Sequence, residues 1–467
     1  MSIMSETATR YGAIYWMESC GDDLTPRAPL VGDATVDVAI LGGGFSGLWT
    51  AYFLLKANPD LKVAVFERHI CGHGASGRNG GWCSPRFPVL IDELEKQFGA
   101  DVARKTIRAQ HAIVEDIGRI CDEEQIDAHY THGGLLAIAR TERQLASLQA
   151  TYAAYDRLGL AEDSAMLGAG EAQARVRVSR VLGGMTTASG ASVHPARLVR
   201  GLARAVEARG GRIYEGTEVT AVRPGQPAML ETRGGMVTAR RAVVLAGEAY
   251  LSGLPGWHRQ LLPISSMIVA TAPLDAATWD QIGWAGHESL SSQAYTKDYL
   301  TRTRDGRILF GSRGAPYLAG SRMPEAALAD PALYQPIIAT LRDWFPVLRD
   351  VPIAHAWGGY LGVPRDGLPS VHFDRARGLA NVFGYTGRGV ATSALAGRTL
   401  AGLIGETPAY ACDLPMVRAP GRLWEIEPLR WVGVRYIQNA FARIDAADFR
   451  DGSAPVDAKF AKALAPI

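Results

Sequence analysis

Residues 36–41 read Val-Asp-Val-Ala-Ile-Leu, apolar apart from Asp37, and run into Gly42-Gly43-Gly44 before a second apolar stretch over 46–56. A short, continuous apolar run ending in a glycine turn predicts a strand buried on both faces, as in a parallel sheet, followed by a buried helix. From 38 to 55 there is no charged residue, long enough at about 18 residues to suggest a membrane span. The glycines in its centre argue instead for two buried elements joined by a turn. Another apolar strand is predicted at 63–66. Farther on, charged helical patterns at 91–98 and 142–158 alternate with an apolar piece over 133–139. A helix over 195–209, stopped by Gly210-Gly211, precedes one strand over 212–222 and a second over 241–245. Residues 263–273 are rich in Ile, Val and Thr, and 299–313 fold as a hairpin about Asp305-Gly306, so the strand signals here become antiparallel. A last helix is predicted at 392–404 and a tail helix at 428–443, packing through Trp431, Val434 and Ile437.

With 467 residues, 47% hydrophobic and 21% charged, the chain has the composition of an ordinary globular protein. Its 49 basic and 47 acidic side chains leave a formal charge of +2, which gives no global reason to bind nucleic acid or an anionic membrane. Five cysteines, at 20, 71, 83, 121 and 412, form no C-x-x-C pair. Neither a disulfide framework nor a metal site is expected, and a reducing, cytoplasmic setting fits. Residues 1–20 lack the basic stretch and apolar core of a secretory signal.

The turn after the first strand carries candidate chemistry. Gly42, Gly44 and Gly47 satisfy G-x-G-x-x-G, and Glu67, 20 residues beyond Gly47, ends the next strand. In that context the glycines admit a pyrophosphate to the backbone at a helix N-terminus, and the carboxylate accepts ribose hydroxyls, which favours NAD or FAD over NADP. A second glycine-rich loop over 72–82 follows at once, where a nicotinamide enzyme would continue into a crossover helix. The expected fold is α/β (α+β overall): a Rossmann-type, glutathione-reductase-like dinucleotide domain from 36–90, 190–255 and 355–407. An antiparallel-sheet substrate domain from 91–189 and 256–354 and a helical tail over 408–467 complete it.

Through Gly-Ala-Ser-Gly-Arg-Asn-Gly-Gly over 74–81 and the late stretch Gly-Tyr-Thr-Gly-Arg-Gly-Val over 384–390, the sequence resembles the D-amino-acid-oxidase-like family of FAD-dependent oxidoreductases. Its members include glycine, sarcosine and γ-glutamylputrescine oxidases, and the first stretch is most similar to the last of these. The resemblance implies FAD contacts from Phe45, Ser46, Arg68, Ala75, Ser76, Arg78, Asn79 and Gly80. It also implies contacts from Gly247 and from the turn Gly387, Arg388, Gly389 and Val390. Val219 is implied beside the adenine, or is equally a core valine. Many relatives read Gly-His-Gly at that turn; Arg388 replaces the histidine and either adds a positive charge near the flavin or faces solvent. Arg78 and Asn79 stand where some relatives attach flavin through histidine, and 357–366 has no cysteine, so the FAD is expected to be non-covalent. The implied reaction is oxidation of a primary or secondary amine, an amino acid or polyamine derivative, to an imine by hydride transfer to flavin N5. No side chain is forced into a catalytic role. Oxygen or another electron acceptor reoxidises the flavin; 307–311 lacks the lysine that some sarcosine-oxidase relatives use for oxygen. Trp82, Tyr299, Arg302, Arg313 and Trp357 are the substrate candidates. An NAD-linked dehydrogenase and a non-catalytic flavin-binding protein stand as alternatives.

Overall fold

In the computed structural model, which describes residues 9–405, 412–450 and 452–465, the apolar run becomes strand β1 (Ala34–Leu41), with Val38, Ala39 and Ile40 inaccessible to solvent. It crosses through helix α1 (Phe45–Ala57) to the parallel strand β2 (Val63–Phe66). On its other side β1 pairs in parallel with β3 (Gly235–Leu245), which continues in parallel to Leu379–Phe383. These strands belong to an eight-stranded sheet. Helix α1 is apolar around nearly its whole circumference because it is covered on both sides, by the sheet and by helix α2 (Gly389–Gly405). The two helices approach backbone to backbone: a Cβ at Gly397 would lie 2.8 Å from the Thr50 amide nitrogen and 2.9 Å from Trp49 Cβ.

The predicted strand over 212–222 is interrupted. Arg212–Tyr214 pairs with β2, whereas Val219–Arg223 joins the meander with Ala228–Thr232. Between them Glu215 is fully buried, accepting the Cys71 and Arg27 amides at 2.7 and 2.8 Å and facing the guanidiniums of Arg200 and Arg27. Satisfying that carboxylate takes the chain off the sheet path.

A nine-stranded sheet forms the other half. Its centre is β4 (Leu261–Thr271), β5 (Tyr299–Arg302), β6 (Ile308–Arg313) and β7 (Ile353–Pro364). β4 lies antiparallel between β6 and β7, and β5 and β6 form the expected hairpin. Leu135–Ala139, Gly183–Thr187 and Ser164–Gly168 extend the sheet through Ser289–Ser292. Residues 355–364, expected in the dinucleotide unit, are therefore sheet partners of β4, from Leu261↔Pro364 to Ala270↔His355. The expected tail helix is Leu429–Arg450. Val434 is buried but Trp431 is 41% exposed. Polar ties hold the helix instead: Asp445 accepts the Tyr295 and Thr296 amides at 2.9 and 2.8 Å, and Asp448 accepts from Thr141 and Arg143. Residues 408–411 of the expected tail lie outside the described residues. Among the described residues no helix is long and apolar enough to cross a membrane.

Because the atoms facing Gly397 are backbone or, for Trp49 Cβ, bonded directly to it, Gly397→Ala forces α1 and α2 apart. Urea denaturation should show a loss of roughly 1–3 kcal/mol, and an unchanged midpoint would mean that the helices separate freely.

Candidate functional site

A cavity of about 670 Å³ is lined by both glycine loops, the tips of β1 to β3, the start of α2 and residues of β4, β5 and β7. Each glycine of the first motif answers a different contact. Gly42 has φ +106°, and a Cβ there would lie 2.7 Å from the Ala246 carbonyl oxygen at the tip of β3. A Cβ at Gly44 would lie 2.9 Å from Ser76 Oγ, and one at Gly47 would run into the Gly42 carbonyl. Gly42 and Gly44 line the cavity with Phe45 and Ser46, while Gly47 lets the first turn of α1 pack on β1. Ser76 Oγ accepts the Phe45 amide at 2.8 Å, stapling the second loop to that turn.

Glu67 ends β2 at the cavity wall. Its Oε2 accepts the Gly43 amide at 2.8 Å and its Oε1 the His69 amide at 2.9 Å. Each oxygen retains acceptor capacity, which fits a pair of ribose hydroxyls. Burial raises its pKa, and the two amides oppose the rise. Arg68, stacked 5.7 Å over the Tyr250 ring, Val219 and Gly247 line the same end.

The second loop is organised from within. Asn79 Nδ2 donates to the Ala75 and Ser76 carbonyls, each at 3.1 Å, and its Oδ1 accepts the Gly81 amide. Ala75, Ser76, Arg78, Asn79 and Gly80 line the cavity. Arg78, however, directs its guanidinium to the His73 carbonyl at 2.6 Å and to Glu325 at 3.1 Å. A hydrogen bond from His73, with the charge of Arg78 and against burial, holds the Glu325 carboxyl down to about 2. Trp357, expected in the pocket, is 1% exposed and absent from the cavity wall; its indole donates to the Arg78 carbonyl from behind the loop.

The late turn runs through positive φ at Gly384, Thr386 and Gly387, at +94°, +50° and +88°. Gly387, Arg388, Gly389 and Val390 line the cavity where α2 begins. Tyr385 Oη and Ser46 Oγ lie 2.9 Å apart, tying this turn to the start of α1. Arg388, partly exposed, lines the cavity and donates to the Phe87 and Pro88 carbonyls.

Across the cavity, Tyr299 stands between two glycines: a Cβ at Gly80 or at Gly311 would run into its ring. Its hydroxyl meets Ser266 Oγ at 2.7 Å, and Trp82 packs edge-on with ring centroids 6.3 Å apart. Arg302 does not join them. Side chains alternate along a strand, so Tyr299 and Thr301 share a face and Arg302 takes the other. There its guanidinium lies 4.0 Å over the Trp279 ring and donates to the Trp284 carbonyl. Arg313 ends β6 opposite Ser266, and its side chain lies outside the described residues. Reading by residue type passed over Arg86, Tyr155, Glu248, Ser266, Lys297 and Asp298, all of which line the cavity. No motif marks them. Burial pushes the Asp298 carboxyl up to about 6, against a hydrogen bond from Ser292.

Two glycine loops over a Rossmann sheet, an acidic residue at the second strand and an antiparallel wall opposite define a dinucleotide-dependent oxidoreductase of the flavoprotein type. The family model for FAD dependent oxidoreductases (DAO) matches residues 37–403. The chain belongs to that family, and FAD is its cofactor. It is 31% identical over 436 residues to γ-glutamylputrescine oxidoreductase of Escherichia coli K12, covering 92% of this chain and 98% of that protein. Identity to the glycine oxidase of Geobacillus kaustophilus is 25% over 391 residues, 81% of this chain and 95% of that one. The crystal structure of glycine oxidase from Geobacillus kaustophilus superimposes with a TM-score of 0.69 over 83% of this chain and 100% of that chain, at 23% identity, a likeness of fold.

Glu248, at the foot of the late turn, accepts the Gly384 amide at 2.8 Å. Burial pushes its pKa up to about 7, against amides of Gly384, Tyr385 and Gly362. A carboxyl raised on folding adds stability that is full below its ordinary value of 4.5 and is lost as pH rises through about 7. The contribution of this group to the stability of the flavin-free protein should therefore decline across that window by up to about 3 kcal/mol. Thermal melts of Glu248→Gln and wild type across that window should differ by this loss, which the variant lacks; parallel curves would remove Glu248 from the titration.

Proposed function

We propose that this protein oxidises a primary or secondary amine to an imine, with a γ-glutamylated diamine the first substrate to try. One observation carries the reading: a single cavity runs from the Glu67 and glycine cradle to the Trp82, Tyr299 and Ser266 wall, so cofactor and substrate would share one continuous space. The 31% identity that spans 98% of γ-glutamylputrescine oxidoreductase supports the substrate class. Bound FAD supplies the hydride acceptor.

In this proposal the protein binds and positions. Gly42, Gly44 and the first turn of α1 receive the pyrophosphate, Glu67 the ribose and Val219 the adenine. Asn79, Gly80 and the turn from Gly387 to Val390 hold the ring system, and the positive end of α2 favours negative charge there. Trp82 and Tyr299 confine the carbon beside nitrogen, while Asp298 gives the chamber a carboxylate that a cationic amine meets on entry. No side-chain base is assigned, because an amine that binds with its lone pair free can release hydride directly. Oxygen or another acceptor completes turnover. Cys71 and Cys83 are fully buried, their thiol pKa values raised chiefly by burial, and neither lines the cavity, which supports non-covalent FAD. Five free cysteines support a reducing, cytoplasmic setting.

Acid precipitation should release all the yellow colour into the supernatant, and colour held in the pellet would overturn the non-covalent assignment. Glu67→Arg should weaken FAD binding by roughly 2–4 kcal/mol, through loss of charged acceptors for the ribose. Titration of the apoprotein reads this directly, and equal affinity would detach Glu67 from the ribose.

Under anaerobic stopped flow an amine should bleach the flavin, at a rate rising with pH through an apparent pKa of the enzyme–substrate complex as the bound amine loses its proton. If 2-hydroxy acids bleach it while no amine does so at any pH, the enzyme oxidises alcohols.

A further inference from the structure

From Arg78 to Gly81 the second glycine loop pairs nearly every backbone group within the protein. The Arg78 and Asn79 amides donate to the Ala75 carbonyl at 3.3 and 3.1 Å, and the Gly81 amide donates to Asn79 Oδ1 at 2.9 Å. Each carbonyl is also taken. That of Arg78 accepts from the Trp357 indole at 2.9 Å and that of Asn79 from the Trp16 indole at 2.7 Å. The Gly80 carbonyl accepts from the Thr301 hydroxyl at 2.5 Å, and the Gly81 carbonyl from the Val193 amide at 2.7 Å. Among the described residues the Gly80 amide alone in this stretch has no hydrogen-bond partner, although Gly80 is buried and lines the cavity. A buried amide without an acceptor is costly, so this one suits an acceptor that arrives with the cofactor.

The direction of that amide is set from behind. The Asn79–Gly80 peptide is trans, so its C=O and N–H point to opposite sides. Trp16 holds the C=O from outside the cavity, which leaves the N–H on the cavity side. This indole belongs to an N-terminal segment that precedes the family-matched residues 37–403 and is anchored independently of the loop. Arg10–Tyr11 pairs in parallel with β7 at His355 and Ala356, and the Gly12 amide donates to the Ala356 carbonyl at 2.7 Å. The short helix Tyr15–Ser19 then lays Trp16, 2% exposed, edge-on against His194, with ring centroids 4.6 Å apart. An indole so fixed gives the Asn79 carbonyl, and the peptide with it, one orientation.

We propose that Trp16 is a positioning residue for the cofactor: by holding the Asn79 carbonyl from behind, it aims the Gly80 amide at the flavin ring and raises the flavin's reduction potential. This rests on the placement of the ring system at Asn79 and Gly80 given above, and not on which substrate is oxidised. Reduction adds negative charge to the ring, and a preorganised amide donor bonds more strongly to the charged form.

The test is a reductive titration of the FAD-loaded protein with dithionite against a reference dye, which needs no amine. Trp16→Phe keeps an aromatic ring in the cluster with Ile268, Leu309 and Trp357 but loses the indole N–H. Its two-electron reduction equilibrium should fall by roughly 3- to 10-fold, about 15–30 mV in midpoint potential. Trp357→Phe is the comparison. Its shift should be smaller, because the amide of the peptide that Trp357 holds is already bonded to the Ala75 carbonyl. An unchanged potential in Trp16→Phe overturns the proposal, as do equal shifts in the two variants, which would make both indoles general supports of the loop. If Trp16→Phe does not fold or load FAD, residue-resolved hydrogen exchange of the wild type decides. The Gly80 amide should exchange roughly tenfold more slowly with FAD bound than without it, and equal rates overturn the assignment. Because dithionite replaces the substrate, a protein that no amine reduces still gives this result, so failure of the amine reading is distinguished from failure of this one.

Discussion

A side chain at Gly42, Gly44 or Gly47 would strike the Ala246 carbonyl, Ser76 Oγ or the Gly42 carbonyl respectively, and the cavity depends on those three approaches. Because β1 turns so tightly, α1 starts directly against the tip of β3, and its first amides remain at the cavity. Because Ser76 can reach the Phe45 amide, the second loop is laid over the same turn. Gly397 repeats the device one layer out, letting α2 close on α1 so that both helices begin at the same space. A Tyr385 to Ser46 hydrogen bond joins the two starts. Backbone brought within van der Waals contact of backbone leaves little room for adjustment, so the loops are held without a large apolar core of their own.

Charged groups do the remaining positioning. Arg78 and His73 share Glu325, fastening the second loop to a segment that packs on β7. Glu215 gathers Arg27, Arg200 and the Cys71 amide at the break in the dinucleotide sheet. Asp445 and Asp448 moor the tail helix to the loop before β5 and to the start of a neighbouring helix. Pairs of this kind contribute little net stability relative to apolar packing, but losing one partner strands a buried charge, so they specify geometry strongly.

Much of the dinucleotide half was legible in the chain because its signals are local. A buried strand, a glycine turn and a helix occupy one continuous segment, and the Gly47 to Glu67 spacing reflects one crossover. The β5 and β6 hairpin was legible for the same reason, with Asp305-Gly306 at its turn. Arg302 shows the weakness of choosing by residue type alone: once Tyr299 faces the cavity, alternation sends Arg302 away. Trp357 failed for a different reason. Its strand pairs with β4, leaving the indole to support Arg78 from the rear rather than to face a substrate.

By itself the sequence determined the cofactor cradle, since glycines and Glu67 act through backbone within a short stretch of chain. Only the tertiary structure decided the cavity wall opposite. Trp82 meets the carbonyl of Leu300, 218 residues away, Tyr299 is framed by Gly80 and Gly311, and Arg86 joins Tyr155 from a separate helix. Such groups share no spacing in the chain. They are brought together by sheet pairing and helix packing, where each side chain's direction depends on registers set by distant strands.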